Sequence, residues 1–309
     1  MSWSLADMPD LTARTAVVTG TTLGGIGFHT ALELARRGAR VVLAGRSLDK
    51  IDDSAGAILE EVPGADLERL VVDLADLSSV RQAAEAAVGL GPVDLLVNNA
   101  GIMAPPLRRT PDGLESQMAT NHFGPFLFTG LLFPQLTAAG DARVVTVSSQ
   151  MHRVARSAPL ADPRASRPYS RWPVYGQTKL ANLLFTFELE RRCRRAGVHV
   201  RALAAHPGLA GTHLAVNGQF GTTRGRRASI LDAAVKAVSQ SAASGALPTL
   251  MAATADLPGG TYCGPSGPAQ AAGPPRVVGM SPLARDEVAQ RRLWDISEET
   301  VSLRWPAMG

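Results

Sequence analysis

The sequence predicts an α/β fold: a doubly wound parallel sheet with helices on both faces. Three observations predict it. Short, wholly apolar, β-branched runs alternate with helical segments along most of the chain, as in a sheet buried on both faces. A glycine-rich turn, Gly20-Thr21-Thr22-Leu23-Gly24-Gly25-Ile26-Gly27, separates the first such run from the first helix. A small, amide-rich segment, Asn98-Asn99-Ala100-Gly101, ends the fourth run, where a parallel sheet meets its ligand.

The elements follow in order. Arg14 to Thr19 reads as a buried strand, and the helix after the glycine turn runs from Phe28 to Arg37, where Gly38 stops it. The second strand is Ala39 to Ala44. Strand, glycine turn, helix and strand make a Rossmann-type unit that binds dinucleotides. Glycines let the backbone approach a pyrophosphate, and the helix N-terminus supplies N–H groups and a positive dipole end. Gly20, Thr22, Leu23, Gly25, Ile26 and Gly27 are therefore candidate cofactor contacts.

The second strand ends Leu43-Ala44-Gly45-Arg46-Ser47. A carboxylate there would bond the ribose 2′-hydroxyl of NAD. Gly45 takes that place, and the Arg46 guanidinium suits a 2′-phosphate by charge and bidentate geometry. NADP(H) is favoured over NAD(H), the alternative for Arg46 being a solvated arginine at a helix approach.

Ser47 suits the N-cap of a helix to about Glu61. Leu70 to Asp73 reads as a third strand, Asp76 or Ser78 opens a helix to about Leu90, and Val93 to Val97 is the fourth strand. Leu114 to Leu136 has one apolar helical pattern with Asn121 inside it, and Arg143 to Val147 is a fifth strand running into Ser148-Ser149. Gln150 to Pro173 reads as loop; its His152 and arginines are substrate contacts or ordinary loop residues. A helix from Trp172 to Arg195, a strand from Val198 to Ala204, a helix from Ile230 to Thr254 and a last strand at Gly259 to Tyr262 follow. Cys263 to Pro275 reads as loop and Leu283 to Glu299 as a closing helix, with a tail containing Trp305 that packs on the body or on a partner.

Tyr175 and Lys179 lie four residues apart on a predicted helix, so a phenol and an ammonium share one face. The positive charge favours phenolate and lowers the tyrosine pKa from about 10, giving an acid–base group for neutral pH. A surface pair on an amphipathic helix is the other reading. The only lysines are Lys50, Lys179 and Lys236. In so arginine-rich a chain, a lysine here points to a compact charge on a flexible stem.

Composition narrows the classes. Net charge is +4 with pI near 9.5, and arginine is dispersed apart from Arg191-Arg192, Arg194-Arg195 and Arg224-Gly225-Arg226-Arg227. That argues for an anionic small ligand and against nucleic acid. Cys193 and Cys263 are the only cysteines and lack metal spacing, so neither a disulfide framework nor a metal site is expected, and a cytoplasmic setting fits. Met1 to Asp10 has no signal-peptide pattern, and the apolar run Phe123 to Phe133 is too short to span a membrane. With no repeat or boundary, residues 1–309 read as one domain, with substrate-side loops near 150–173, 206–228 and 263–281.

Thr19-Gly20, Gly25-Ile26-Gly27, Asp73, Asn98-Asn99-Ala100-Gly101, Tyr175-x-x-x-Lys179 and Pro207-Gly208 occur in this order over nearly the whole chain. In this the chain resembles the short-chain dehydrogenase/reductase family. Gly27-Phe28-His29-Thr30-Ala31, Asn121-His122-Phe123-Gly124 and His206-Pro207-Gly208 resemble its retinol-dehydrogenase-like branch.

The resemblance implies a catalytic tetrad of Asn121, Ser149, Tyr175 and Lys179. It implies further cofactor contacts from Asp73, Leu74, Asn99, Ala100, Gly101, Tyr175, Lys179, Pro207, Gly208 and Thr212. Asn121 would hold a local helix irregularity and a water path, His206 would be structural, and residues 213–228 would form a mobile lid. The implied reaction interconverts a carbonyl and an alcohol, ketoreductase or alcohol dehydrogenase in type, on a mostly apolar small molecule. Reduction of C=C or C=N bonds, or a cofactor-binding regulatory protein without turnover, are the alternatives. A homodimer or homotetramer is the family habit. One departure stands out. Four residues, Thr21 to Gly24, separate Gly20 from Gly25, one more than the family's turn. No basic residue lies among them, so Arg46 carries more of the 2′-phosphate recognition.

Overall fold

The computed structural model describes residues 3–157, 168–209 and 240–305. The strands are β1 Thr15–Thr19, β2 Arg40–Gly45, β3 Leu67–Val71, β4 Leu95–Asn98, β5 Ala142–Val147, β6 Val200–Ala205, β7 Tyr262–Pro265 and β8 Pro275–Val277. They form a sheet in the order β3-β2-β1-β4-β5-β6-β7-β8. Only the β7–β8 pairing among them is antiparallel. The helices among the described residues are α1 Ile26–Arg36, α2 Leu48–Glu61, α3 Leu77–Ala87, α4 Ser116–Met118, α5 Gly124–Leu131, α6 Phe133–Ala138, α7 Arg171–Arg195, α8 Ala242–Thr254 and α9 Glu287–Val301.

Successive strand residues feed opposite cores. Val17 joins a cluster with α3, α5, α7 and α9, whereas Ala16 and Val18 join one with α1, α2 and α8. Both faces of the sheet are covered, which is why its central strands read as unbroken apolar runs. The chain winds outward from β1 to β3, then crosses back to β4 beside β1. That reversal is the switch point where open α/β sheets bind ligands.

Several boundaries differ from the sequence reading. The third strand is Leu67–Val71 rather than Leu70 to Asp73. It is the sheet edge, so Glu68 and Arg69 are tolerated in it, and Glu68 pairs with Arg40 at 3.0 Å. The segment read as one helix from Leu114 to Leu136 is divided into α4, a π-helical turn Ala119–Phe123, α5 and α6. Glu115 caps α4 by accepting from the N–H groups of Gln117 and Met118. Gly124 follows the π turn because a Cβ there would stand 2.2 Å from the Leu74 carbonyl oxygen.

The segment Cys263 to Pro275, read as loop, carries most of β7 and the start of β8. The helix expected over Ile230 to Thr254 begins at Ala242, where Ser241 accepts from the Ser244 N–H at 3.1 Å; residues 230–239 lie outside the described residues. The closing helix begins at Glu287, because Asp286 caps it and Pro282–Arg285 forms a separate 3-10 turn. The tail packs on the body: the Trp305 ring lies 4.7 Å from Trp294 and 5.3 Å from Phe126. No helix among the described residues is long and apolar enough to cross a membrane.

Candidate active site

The crevice between β1 and β4 is assembled by hydrogen bonds between their tips. The Asn99 side-chain amide donates to the carbonyl oxygens of Thr19 at 2.8 Å and Gly20 at 3.2 Å. The Thr19 hydroxyl accepts from the N–H groups of Asn99 at 3.1 Å and Ala100 at 3.0 Å. Gly20 is in the left-handed region, and a Cβ on it would meet the Ala100 Cα at 2.8 Å. A Cβ on Gly27 would stand 2.4 Å from both the Asn99 amide nitrogen and the Gly20 oxygen. Glycine at both positions thus lets the turn, α1 and the Asn99 side chain close into a tight cradle at the tip of β1. Gly25 is the N-cap of α1 and offers no side-chain cap, so the first turn of the helix is left to an anionic partner.

The Gly25 N–H donates to the Thr22 carbonyl oxygen at 2.9 Å, and Gly24 adopts a φ of 71°. Thr22 to Gly25 is therefore a β-turn closed by a left-handed glycine. Leu23 is exposed at the tip of this turn, and Gly25-Ile26-Gly27 stand at the start of α1. Thr21 is buried, and its carbonyl accepts from the Ser54 hydroxyl of α2 at 2.7 Å.

At the neighbouring strand tips, Arg46 lies exposed just past Gly45. Asp73 accepts from the Ala75 N–H at 2.9 Å through one carboxylate oxygen. Leu74 is buried against Gly124. Thr212 and the segment 213–228 lie outside the described residues.

Beyond this crevice, Tyr175 and Lys179 share one buried face of α7, with the ammonium nitrogen 5.7 Å from the centre of the phenol ring. Lys179 donates to the Val147 carbonyl oxygen at 3.1 Å, at the end of β5. Ser149 follows two residues on, close enough to the Tyr175 phenol to favour its charged form. Ser148 points the other way, donating to the Lys179 carbonyl oxygen at 2.7 Å. Asn121 sits in the π turn, where the widened ladder turns its side chain toward the strand tips. Its amide oxygen accepts from the Ile102 N–H at 2.8 Å, and its nitrogen donates to Ile102 O at 2.9 Å and the Thr178 hydroxyl at 3.0 Å. A Cβ on Gly101 would lie 3.0 Å from the Asn121 oxygen and 3.6 Å from the Lys179 nitrogen. All four tetrad side chains therefore meet around the ends of β4 and β5.

Burial sets the electrostatics. It pushes the Tyr175 phenol up to about 12, with the nearby Ser149 hydroxyl pulling the other way. It pushes Lys179 down to about 8. The tyrosine shift is the reverse of the one the neighbouring ammonium alone would produce, because desolvation outweighs it. At neutral pH the site holds a protonated phenol beside a largely protonated amine.

Pro207 and Gly208 follow β6. Gly208 has a φ of 68°, and a Cβ there would strike the Ala271 carbonyl oxygen at 2.3 Å. The neighbouring His206 is fully buried: its Nδ1 accepts from the Gly208 N–H at 3.1 Å, and its Nε2 lies 3.0 Å from the Gln270 side-chain oxygen. Gln240 donates to the Pro207 carbonyl oxygen at 2.6 Å. Thr19, Thr178, Gln240 and Gln270 were not among the expected site residues, and His152, read as a substrate contact or an ordinary loop residue, is fully buried. Thr178 lies inside the Tyr175–Lys179 spacing and was the most findable; the glutamines belong to segments with no motif.

A family model for short chain dehydrogenase matches residues 14–219. Human retinol dehydrogenase 13 is 37% identical over 303 residues, covering 96% of this chain and 86% of that protein. An uncharacterized oxidoreductase of Schizosaccharomyces pombe is 40% identical over 222 residues, covering 69% of this chain but 65% of its own length, a little under two thirds. A crystal structure of an uncharacterized protein from Mycobacterium paratuberculosis superposes with a TM-score of 0.81 at 42% identity, covering 99% of this chain and all of that one.

Proposed function

The chain belongs to the short-chain dehydrogenase family, and from that premise we propose that it is an NADP(H)-dependent oxidoreductase interconverting a carbonyl and an alcohol on a mostly apolar small molecule. The observation that carries the reading is the meeting of Tyr175, Lys179, Ser149 and Asn121 beside the glycine cradle. The cradle fits a dinucleotide: Gly20 and Gly27 let the turn, α1 and the Asn99 side chain close up at the tip of β1, and the start of α1 is uncapped by side chains, so its first N–H groups would be available to a pyrophosphate. Gly20, Thr22, Leu23, Gly25, Ile26 and Gly27 would hold the pyrophosphate. Asp73, Leu74, Asn99, Ala100 and Gly101 would line its path, and Pro207, Gly208 and Thr212 its far end. A nicotinamide bound there supplies or accepts the hydride.

The chain's own groups manage the proton and the substrate oxygen. Tyr175, kept protonated by burial, donates its proton to the carbonyl oxygen during reduction. Ser149 donates a hydrogen bond to the same oxygen and holds the phenol in line. The Lys179 ammonium steadies the phenolate that forms, which burial alone would disfavour. Asn121 locks Ile102 against Thr178 and so fixes the wall opposite Tyr175.

Arg46 supports NADP(H), since it is the free guanidinium at the β2 tip where Gly45 replaces a carboxylate. In the same proposal the enzyme works in a reducing compartment such as the cytoplasm, since the two cysteines of the sequence lie far apart and suggest no disulfide framework. A homodimer or homotetramer would form on a face other than that of α5 and α7, which α9 and Trp305 cover.

The test is cofactor oxidation by the purified protein with NADPH and NADH in parallel, against nonanal, cyclohexanone and all-trans-retinal. Turnover with NADPH and little with NADH is expected. Preference for NADH would overturn the role of Arg46, and cofactor binding without turnover of any carbonyl would overturn the carbonyl-reductase reading.

A further inference from the structure

We propose that His152 is a positioning residue that holds Ser149 at its place beside Tyr175; the assignment rests on the carbonyl-reductase reading above. His152 stands three residues after Ser149 in the 3-10 turn Gln150–Val154 and is fully buried. Both ring nitrogens are engaged. Nδ1 lies 2.7 Å from the Ser149 carbonyl oxygen, and Nε2 lies 3.1 Å from the backbone nitrogen of Ser281. A backbone N–H can only donate, so Nε2 is the bare nitrogen and Nδ1 carries the hydrogen given to Ser149. Main-chain partners alone therefore set the tautomer. The imidazole joins the end of β5 to a segment 129 residues further along, just past β8. Tyr262 closes the site edge-on, with ring centroids 5.7 Å apart at 85°.

Ser149 is otherwise anchored by local backbone bonds: its carbonyl oxygen also accepts from the His152 N–H at 3.0 Å. The residue lies beyond the last residue of β5, and its hydroxyl accepts from the Met151 N–H at 3.2 Å. On the far side, the 3-10 turn abuts α7 at the residue after Tyr175: a Cβ on Gly176 would stand 2.9 Å from the Met151 carbonyl oxygen. The relation of Ser149 to Tyr175 is thus held by the turn against Gly176 and by ties to the segment past β8, from the buried imidazole to Ser281 and from exposed Arg153 to Gly279. Without the imidazole, the Ser281 N–H is left unpaired in a buried space, and the Ser149 carbonyl keeps only the His152 N–H at 3.0 Å. Exposed Arg153, donating to the Gly279 carbonyl oxygen at 2.6 Å, is then left to tie the turn to the segment past β8. A displacement of about 1 Å in a reacting group can cost about a hundredfold in rate.

A double-mutant cycle over His152→Ala and Ser149→Ala tests this, with His152→Asn as the conservative variant. It is run on the full chain with NADPH and nonanal, or whichever of the three carbonyls turns over fastest. His152→Ala is expected to lower kcat by about tenfold to a hundredfold while leaving NADPH affinity within about twofold. His152→Asn, whose amide can still donate to Ser149 O, should recover most of that loss. In the Ser149→Ala background, His152→Ala should change kcat by less than about twofold, because both act through one hydroxyl. In the wild type, 15N NMR should show His152 protonated at Nδ1. An Nε2–H tautomer, losses that multiply in the cycle, or a lower melting temperature with unchanged kcat would each overturn the proposal. A wild type that binds NADPH but reduces none of the carbonyls would instead remove the reading on which it stands.

Discussion

Gly27→Ala puts a single methyl group where β1, the glycine turn and the Asn99 side chain converge. Its Cβ would stand 2.4 Å from the Asn99 amide nitrogen, 2.4 Å from the Gly20 oxygen and 3.0 Å from the Gly20 carbonyl carbon. Two of these atoms are backbone, so the overlap is relieved only by moving α1 away from the strand by about 1 Å. That movement takes Asn99 out of reach of the carbonyls it holds at 2.8 and 3.2 Å. Two hydrogen bonds at about 1 kcal/mol each, with an overpacking strain of about 1–3 kcal/mol, give a loss of about 3–5 kcal/mol. If about 1.4 kcal/mol of this falls on the bound state, NADPH affinity drops about tenfold. Thermal melts and NADPH titration by tryptophan fluorescence read the two effects separately. Gly56→Ala is the control, on the exposed side of α2 where a Cβ meets nothing within 4 Å. It should be neutral or stabilising by up to about 1 kcal/mol. An unchanged melting temperature and an NADPH affinity within about twofold for Gly27→Ala would refute the cradle.

Arg46→Ala should weaken NADPH binding by about tenfold or more and leave NADH nearly unchanged, measured as the ratio of the two dissociation constants; equal losses would dismiss the 2′-phosphate role. Asn121→Ala frees Ile102 and Thr178 together, so kcat should fall more than NADPH affinity, and a change in affinity alone would contradict the placement. Burial pushes His122 down to about 3 and His152 and His206 down to about 4. Below the unfolded value of about 6.5 the unfolded chain binds protons that the folded chain refuses. Stability is therefore fully present above pH 6.5 and is lost as pH falls toward about 4. At pH 5.5 each histidine removes about 1.4 kcal/mol, or about 4 kcal/mol in all. Urea melts at pH 7.5 and 5.5 read this, and equal midpoints would contradict it.

The sheet and its switch point were legible because burial on both faces writes strands as apolar runs and because glycine has few reasons to cluster at a strand end. The edge strand was misplaced for the same reason: β3 is bonded on one side only, so Glu68 and Arg69 interrupt the apolar signal. The apolar pattern from Leu114 to Leu136 carried no mark of the π turn, since a widened ladder keeps the same apolar residues buried; the irregularity at Asn121 was expected from the family resemblance alone. The spacing of Tyr175 and Lys179 revealed a shared face but not the desolvation that dominates their ionisation, a property of what packs over them. His152, His206 and Gln270 gain their partners across 64 to 129 residues of chain. Such pairings leave no local trace in a single sequence.

The account turns on Tyr175 as the proton donor. Tyr175→Phe keeps the ring and removes the hydroxyl, so turnover and cofactor affinity, measured side by side with NADPH and the best carbonyl, test it most directly. The predicted result is loss of turnover to background with NADPH affinity within about twofold of wild type. Wild-type-like turnover by Tyr175→Phe would contradict the central claim.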